Sequence, residues 1–320
     1  MKQQYIYVLI SVVIIFAFSQ LFIYSSEPKS DDELHFKQFN IQYGIFSIVK
    51  PQGLSFCEEN IPVHSSEIWE RLDKELLKNI YWQSNTLLYF KKANKYFPII
   101  EPILSKNNIP DDFKYLALIE SGLENVISPA GAAGFWQILK STAKEYGLEV
   151  NSSIDERYHL EKSTQVACDY LNRAFNKFGS WTMAAASYNM GQTGISRSIK
   201  KQRTDNYYNL YLNSETGRYI FRIIAVKEII ENPKRYGFMF REKDLYSPPE
   251  YKIIEVDSTI ADLYDFAEEN GINYKLLKLY NPWMLRSVLP DASRRKYQIK
   301  IPTAPSSLIF ENINKSSSPN

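Results

Sequence analysis

Apolar residues recur at helical spacing over most of the chain and switch to strand-like alternation only near its C-terminal end. From Ser65 or Ser66 onward, Trp69, Leu72, Leu76 and Ile80 share one stripe, which predicts a first helix. A second helix is expected through Leu87, Leu88 and Phe90, and Pro98 and Pro102 punctuate a third. Asn107 to Pro110 reads as a loop, and Asp111 is a natural N-cap for a helix from Phe113 that carries Glu120. Small residues fill Ser128 to Gly134. Ser141 is then expected to cap a helix ended by Gly147. Further helices are expected over Glu161 to Phe178, from Ser180 or Trp181 to Tyr188, over Tyr207 to Leu212, and over Arg218 to Glu231 before Pro233. No strand pattern interrupts this region, so residues 65–245 read as one all-α domain with its motif core at 107–220. Pro248-Pro249 marks a boundary. Beyond it, Tyr251 to Val256 reads as a strand, Ile260 to Glu269 and Tyr274 to Leu279 as helices, and Tyr297 to Pro302 as a strand, a βααβ module over 250–303. Residues 25–64 lack a clear period and read as a stalk or linker, and 304–320 as a disordered Ser-rich tail.

The N-terminus has its own pattern. Tyr5 to Tyr24 contains no charged residue and is long enough to span a bilayer as a helix. No small-x-small cleavage site follows it, so 1–24 reads as a signal anchor, with a cleaved signal peptide and a soluble periplasmic body as the alternative. Lys2 on the short side places the N-terminus in the cytoplasm and the body outside the inner membrane, as a single-pass protein. The 320 residues are 44% hydrophobic and 23% charged, enough for a sizeable core, and the net charge of +2 gives no footprint for nucleic acid. Tyrosine is abundant, which suits sugar faces and ordinary packing alike. Cys57 and Cys168 could pair in an exported protein, though Cys168 sits in an amphipathic stretch as a small buried hydrophobe would. His35, His64 and His159 have no metal-ligand spacing, so neither a metal nor a cofactor is expected.

One charge conflicts with its surroundings. Counting from Phe113, the face i, i+3, i+4, i+7 is Phe113, Leu116, Ala117 and Glu120, which puts a carboxyl group on a core-facing stripe. Desolvation and the negative end of the helix dipole both favour its neutral form. A carboxylic acid still protonated near neutral pH is suited to general acid catalysis. Two other segments combine glycine with hydrogen-bonding side chains, Gly134-Phe135-Trp136-Gln137 and Ser187-Tyr188-Asn189-Met190-Gly191. The remaining acids have simpler roles: Glu124 solvated, Asp111 and Asp112 helix-start charges, Asp155 and Glu156 holding Arg157 or capping a helix. Glu215 is the best second carboxylate, with a structural pairing to Arg218 as the alternative. Trp136 reads as a packing residue, while Tyr188 and Tyr219 fit either a core or a cleft.

IESG around Glu120, the SPAGAAGFWQ stretch and SYNMG together resemble the motifs of lysozyme-like lytic murein transglycosylases, closest to the membrane-bound type D enzymes. The likeness extends to Ser141-Thr142-Ala143, Asp155 to Tyr158 and Glu215 to Tyr219, spanning roughly 65 to 240. It implies a lysozyme-like, mainly α catalytic domain with Glu120 as catalytic acid, and Ser121, Gln137, Tyr188, Asn189 and Tyr219 binding the substrate. The implied partner is the peptidoglycan glycan strand, cut between N-acetylmuramic acid and N-acetylglucosamine to leave a 1,6-anhydro end. Residue spacing alone equally permits a hydrolytic muramidase, or an inactive anchor that only binds glycan. Phe135-Trp136 stands where the family commonly has Leu-Met, a change of cleft shape more than chemistry. The C-terminal module resembles a divergent LysM domain, a family that binds N-acetylglucosamine chains. Asp257-Ser258-Thr259 follows Val256 where that family has glycine, and Asn281-Pro282 matches a later landmark.

Overall fold

A computed structural model of the chain describes residues 47–290 and 295–303. The expected membrane anchor, most of the expected stalk and the tail lie outside the described residues. Within them, no helix is long and apolar enough to cross a membrane. The described chain is mainly helical, with a small strand module at its C-terminal end.

The elements run as a short antiparallel pair β1 (Ser55–Phe56) and β2 (Glu59–Asn60), then α1 (Ser66–Tyr81), α2 (Gln83–Lys106) and α3 (Lys114–Ser121). After the small-residue loop come α4 (Lys140–Glu145), α5 (Leu160–Phe178), α6 (Trp181–Met190), α7 (Gln192–Gln202) and α8 (Thr216–Glu231). The module contains β3 (Tyr251–Val256), α9 (Leu263–Glu269), α10 (Tyr274–Tyr280) and β4 (Tyr297–Pro302). Its strands pair antiparallel, with Tyr251 opposite Pro302 and Val256 opposite Tyr297.

Helix α8 is the axis of the domain. It buries Tyr219, Ile220, Phe221, Ile223, Ile224, Ala225, Val226 and Ile229, apolar on nearly every side, and packs against α1, α3 and α6. A helix without a polar face is stable only when surrounded. The long amphipathic α5 covers α2 and α6 with one face and ends at Gly179, whose φ of 68° closes the helix in the left-handed conformation.

Several elements differ from expectation. The second and third helices are one, because Pro98 and Pro102 lie four residues apart on the exposed side of α2. Backbone carbonyls released there can be hydrated, while Phe90, Phe97, Ile100 and Leu104 hold the opposite face in the core. Asp111 is not an N-cap but opens a 3-10 turn, Asp111–Phe113, ahead of α3. Ser141 lies inside α4, whose N-cap is Leu139. The segment after Asn206 forms only a 3-10 turn, Tyr207–Asn209, and α7 was not expected at all. Residues 48–64 are not a free stalk. Phe56 is fully buried in an edge contact with Phe113, and Glu59 accepts backbone N–H groups of Trp181 and Thr182 at the start of α6. Cys57 and Cys168 are both free and buried.

The C-terminal module is docked on the helical domain. Ile154 is fully buried in the module's own core, and the backbone of 153–155 hydrogen-bonds to that of Trp283 and Leu285. Lys300 of β4 lies 2.5 Å from Glu161 at the start of α5, and the Tyr297 hydroxyl donates to Glu149 at 2.7 Å.

Candidate active site

Helix α3 is two turns long and buries Tyr115 to Ile119 in succession, so its final turn delivers Glu120 to the edge of the core. Gly122 ends it with φ 63°, its N–H bonded to the Leu118 carbonyl. Glu120 stays half-buried, and its carboxyl group accepts a hydrogen bond from the hydroxyl of Tyr219 on α8. One turn further along α8, Arg222 donates to the Ile119 carbonyl at 2.7 Å and brings its positive charge near Glu120. Burial pushes the Glu120 carboxyl above its usual range, helped by the charge of Glu215. The Tyr219 hydrogen bond and Arg222 oppose this shift without cancelling it.

The small-residue loop supplies the facing wall. Gly134 has φ 79°, and a Cβ there would meet the Arg157 carbonyl oxygen at 2.0 Å, so only glycine fits. Arg157 forms a buried pair with Asp155 at 2.7 Å and reaches the carbonyls of Gly131 and Ile138 at 2.8 and 3.2 Å. This clamp fixes the loop from behind. Trp136 is fully buried, its indole N–H bonded to Thr164 at 2.8 Å, a packing role as expected. The Phe135 carbonyl accepts the Ser121 hydroxyl at 2.9 Å, and the Trp136 carbonyl accepts the Tyr188 hydroxyl at 2.8 Å. Ser121 and Tyr188 are thereby tied to one stretch of loop.

Gln137 adopts φ 46° and donates its amide to the carbonyls of Gly134 and Val126. With Tyr188 and Asn189 it lines an open cavity of about 440 Å³, completed by Tyr146, Tyr170 and Arg173. Glu120 is not in that wall, but Tyr188 is, and the charge of Glu120 reaches the Tyr188 hydroxyl. The Asn189 amide is held at both ends, donating to Glu215 at 3.2 Å and accepting from the Thr216 hydroxyl at 2.8 Å.

Of the six residues singled out in the sequence, Gln137, Tyr188 and Asn189 line this cavity, while Glu120, Ser121 and Tyr219 do not. Tyr219 is fully buried and does not line the cavity; it stands behind the acid. Glu215 does not pair with Arg218. Arg218 instead makes a two-pronged bond to the buried Glu75 at 2.9 and 3.0 Å. Glu124 is exposed but paired with Lys92. Arg222, Thr216 and Glu75 were not foreseen. Their partners lie far away in sequence, which local patterning cannot register.

Residues 97–211 match the family Transglycosylase SLT domain. The chain carries a transglycosylase SLT domain. Residues 252–305 match the soluble lytic transglycosylase C-terminal LysM-like domain, so that module follows it. Over 231 residues the chain is 29% identical to the Membrane-bound lytic murein transglycosylase D of Escherichia coli (strain K12), covering 70% of this chain and 50% of that protein. It thus spans about half the length of the curated relatives it matches. Among solved structures, the 70 kDa soluble lytic transglycosylase of Escherichia coli aligns with TM-score 0.38 and 18% identity, over 55% of this chain and 33% of that one. An inactive mutant of the lytic transglycosylase Slt of Pseudomonas aeruginosa aligns with TM-score 0.37 and 16% identity, over 48% and 26%. The SLT match contains Glu120, Ser121, Gln137, Tyr188 and Asn189, and Tyr219 follows just beyond its end. The hydrogen bond from Tyr219 to Glu120 therefore joins the SLT segment to the helix after it.

Proposed function

We propose that the protein is a lytic transglycosylase that cuts the β-1,4 bond between N-acetylmuramic acid and N-acetylglucosamine in peptidoglycan. The observation that carries this reading is the half-buried Glu120 carboxyl, its pKa raised by desolvation, with the Tyr219 hydroxyl as its hydrogen-bond donor. In the proposed reaction, protonated Glu120 gives its proton to the glycosidic oxygen as the C1–O4 bond breaks. The resulting carboxylate then takes the proton of the muramic C6 hydroxyl while O6 bonds to C1. The ring closes to the 1,6-anhydro product, Glu120 returns to its protonated state, and no water is consumed. A nucleophile already tethered to the substrate reacts with an effective molarity that can reach about 10⁵ M or more, so a second carboxylate is not required. Glu215 then acts on the charge of Glu120 and on the orientation of Asn189, not on the sugar.

In this reading Gln137, Tyr188 and Asn189 contact the glycan along the open cavity, and Ser121 fixes the loop that faces Glu120. Tyr219 acts through Glu120. The LysM-like domain holds the same polymer. The N-terminal apolar run anchors the protein in the inner membrane, with the enzyme in the periplasm. Purified protein digesting isolated sacculi tests the proposal, with products weighed by mass spectrometry. Anhydro-muramic ends, lighter by one water than reducing ends, are expected, and Glu120→Gln is expected to abolish their release. Reducing ends would assign the site to hydrolysis instead, and undiminished release by Glu120→Gln would remove Glu120 from the chemistry.

A further inference from the structure

A second cavity, of about 230 Å³, lies where the C-terminal module meets the helical domain. The helical domain contributes Tyr96, Phe135 and Tyr158 to its wall, and the module contributes Tyr251, Tyr280 and Trp283. Each half is held by ring contacts of its own. Tyr96 meets Phe135 edge-on with ring centroids 4.8 Å apart, Trp283 stacks on Tyr297 at 5.5 Å, and Tyr280 meets Tyr251 edge-on at 6.3 Å. Tyr280 lies close enough to Tyr96 across the opening to feel its charge. Such paired aromatic faces suit the C–H faces of a pyranose ring, and the volume suits a single sugar residue.

The polar groups of the cavity set its preference. Lys95 and Lys300 are among its lining residues, and no carboxylate is. Lys300 is held by Glu161, but Lys95 touches only the ring of Tyr96 and makes no ion pair among the described residues. The indole N–H of Trp283 is buried and has no hydrogen-bond partner. One wall also belongs to the catalytic loop, since Phe135, whose carbonyl accepts the Ser121 hydroxyl, is part of this cavity.

We propose that this interdomain cavity is a second saccharide site, selective for a pyranose that carries a carboxylate, as the muramyl residues of a glycan strand do once the stem peptide has been removed from their lactyl group. It is separate from the cleft at Gln137, Tyr188 and Asn189, with which it shares no lining residue. Binding there does not depend on turnover at Glu120. An occupied site would hold a strand at the back of the loop that faces the acid, so the module and the catalytic domain grip one polymer together.

The test is a titration of the full-length ¹⁵N-labelled chain with N-acetylmuramic acid, following the indole N–H signals of its five tryptophans. Trp283→Phe identifies the signal of interest. That signal is expected to shift saturably, while the signal of Trp136, bonded to Thr164, stays in place. N-acetylglucosamine, which lacks the carboxylate, is expected to bind about tenfold more weakly, the loss of one charged contact of about 1.4 kcal/mol. Lys95→Gln, on the rim, is expected to erase that difference. The same shift in the Glu120→Gln protein keeps the result independent of catalysis. An unmoved Trp283 signal, equal affinity for the two sugars, or tighter binding of an acidic tripeptide without sugar would overturn the proposal, whatever the outcome on sacculi.

Discussion

Replacing Tyr219 by phenylalanine removes one oxygen and leaves a fully buried ring in place. The lost group is the hydroxyl that donates to Glu120. While Glu120 is protonated, that bond is neutral and contributes about 1 kcal/mol; once the proton has gone to the leaving oxygen, the acceptor is a carboxylate and the bond is worth about 1.5–3 kcal/mol. The hydroxyl thus stabilises the transition state about 0.5–2 kcal/mol more than the ground state, and kcat of Tyr219→Phe should fall by about 2- to 30-fold. The pH profile gives a second readout that packing damage would not produce. Tyr219 lowers the Glu120 pKa against the larger effect of burial. Without it the carboxyl keeps its proton to higher pH, so the alkaline limb of kcat should move upward even as the maximum falls. Release of soluble muropeptides from sacculi, measured across pH with melting temperature as a control, checks both effects. A kcat within twofold of the parent, or an alkaline limb that stays or moves downward, would refute the differential role assigned to this bond.

Glu120→Gln should also change the response of stability to pH. A carboxyl whose folded pKa is raised contributes stability that is fully present below its unfolded value and lost as pH rises through the folded one. Glutamine cannot ionise, so calorimetry should show the variant's melting temperature overtaking the parent's as pH rises from about 4 to 8. Gly134→Ala combines a forbidden contact with the Arg157 carbonyl and an unfavourable φ; a loss of at least about 3 kcal/mol is expected, seen as a fall in melting temperature of about 6 °C or more. Glu161→Gln should loosen the LysM-like domain. Burial alone would raise the Glu161 pKa, but His159, whose Nδ1 lies 3.3 Å away, and the charge of Lys300 outweigh it and lower the pKa. That contribution is present above the unfolded carboxylate value and lost as pH falls toward the folded one, so the parent should exceed the variant by about 3 kcal/mol at pH 7 and lose that lead in acid. Hydrogen exchange at β3 and β4 would register it.

How much of this fold could be read along the chain depends on where each element finds its partners. Helices α1 and α5 were legible because each has a continuous apolar stripe against a polar face. Helix α7 was not: its apolar side amounts to Ile195 and Ile199, one turn apart among lysines, serines and glutamines, and only Ile195 is buried, so its stripe is too short to stand out. Helix α2 was read as two pieces because proline breaks the local rule. Only the fold shows that both prolines face solvent, where that break is least damaging. Residues 48–64 failed for a different reason. Two-residue strands carry no alternation, and Phe56 is held by Phe113 and Cys57 N–H by Asp112, partners more than fifty residues away.

The site shows the same division more sharply. Glu120 stands out from its neighbours alone, because a carboxyl group at the end of a buried apolar helix contradicts its surroundings, and that local conflict is what makes it the candidate acid. What controls that carboxyl could not be found in this way. Its donor Tyr219 is 99 residues distant, and Arg222 becomes relevant only once α8 is threaded beside α3. The salt bridge that a neighbouring-charge rule assigns to Glu215 and Arg218 goes instead to Glu75, 143 residues from Arg218, because Glu75 is buried and cannot remain unpaired, whereas Glu215 is exposed and can. Freed from Arg218, Glu215 keeps its negative charge directed at Glu120 and its oxygen at Asn189. Neutralising Glu75 should therefore reach the active site indirectly. In Glu75→Gln, Arg218 loses its ionic partner and is free to turn toward Glu215. Glu215 would then raise the Glu120 pKa less, and the alkaline limb of kcat should move downward, opposite to the shift expected for Tyr219→Phe. A downward shift that disappears in the double variant Glu75→Gln/Arg218→Met would locate the effect in the redirected arginine; one that persists would place it elsewhere.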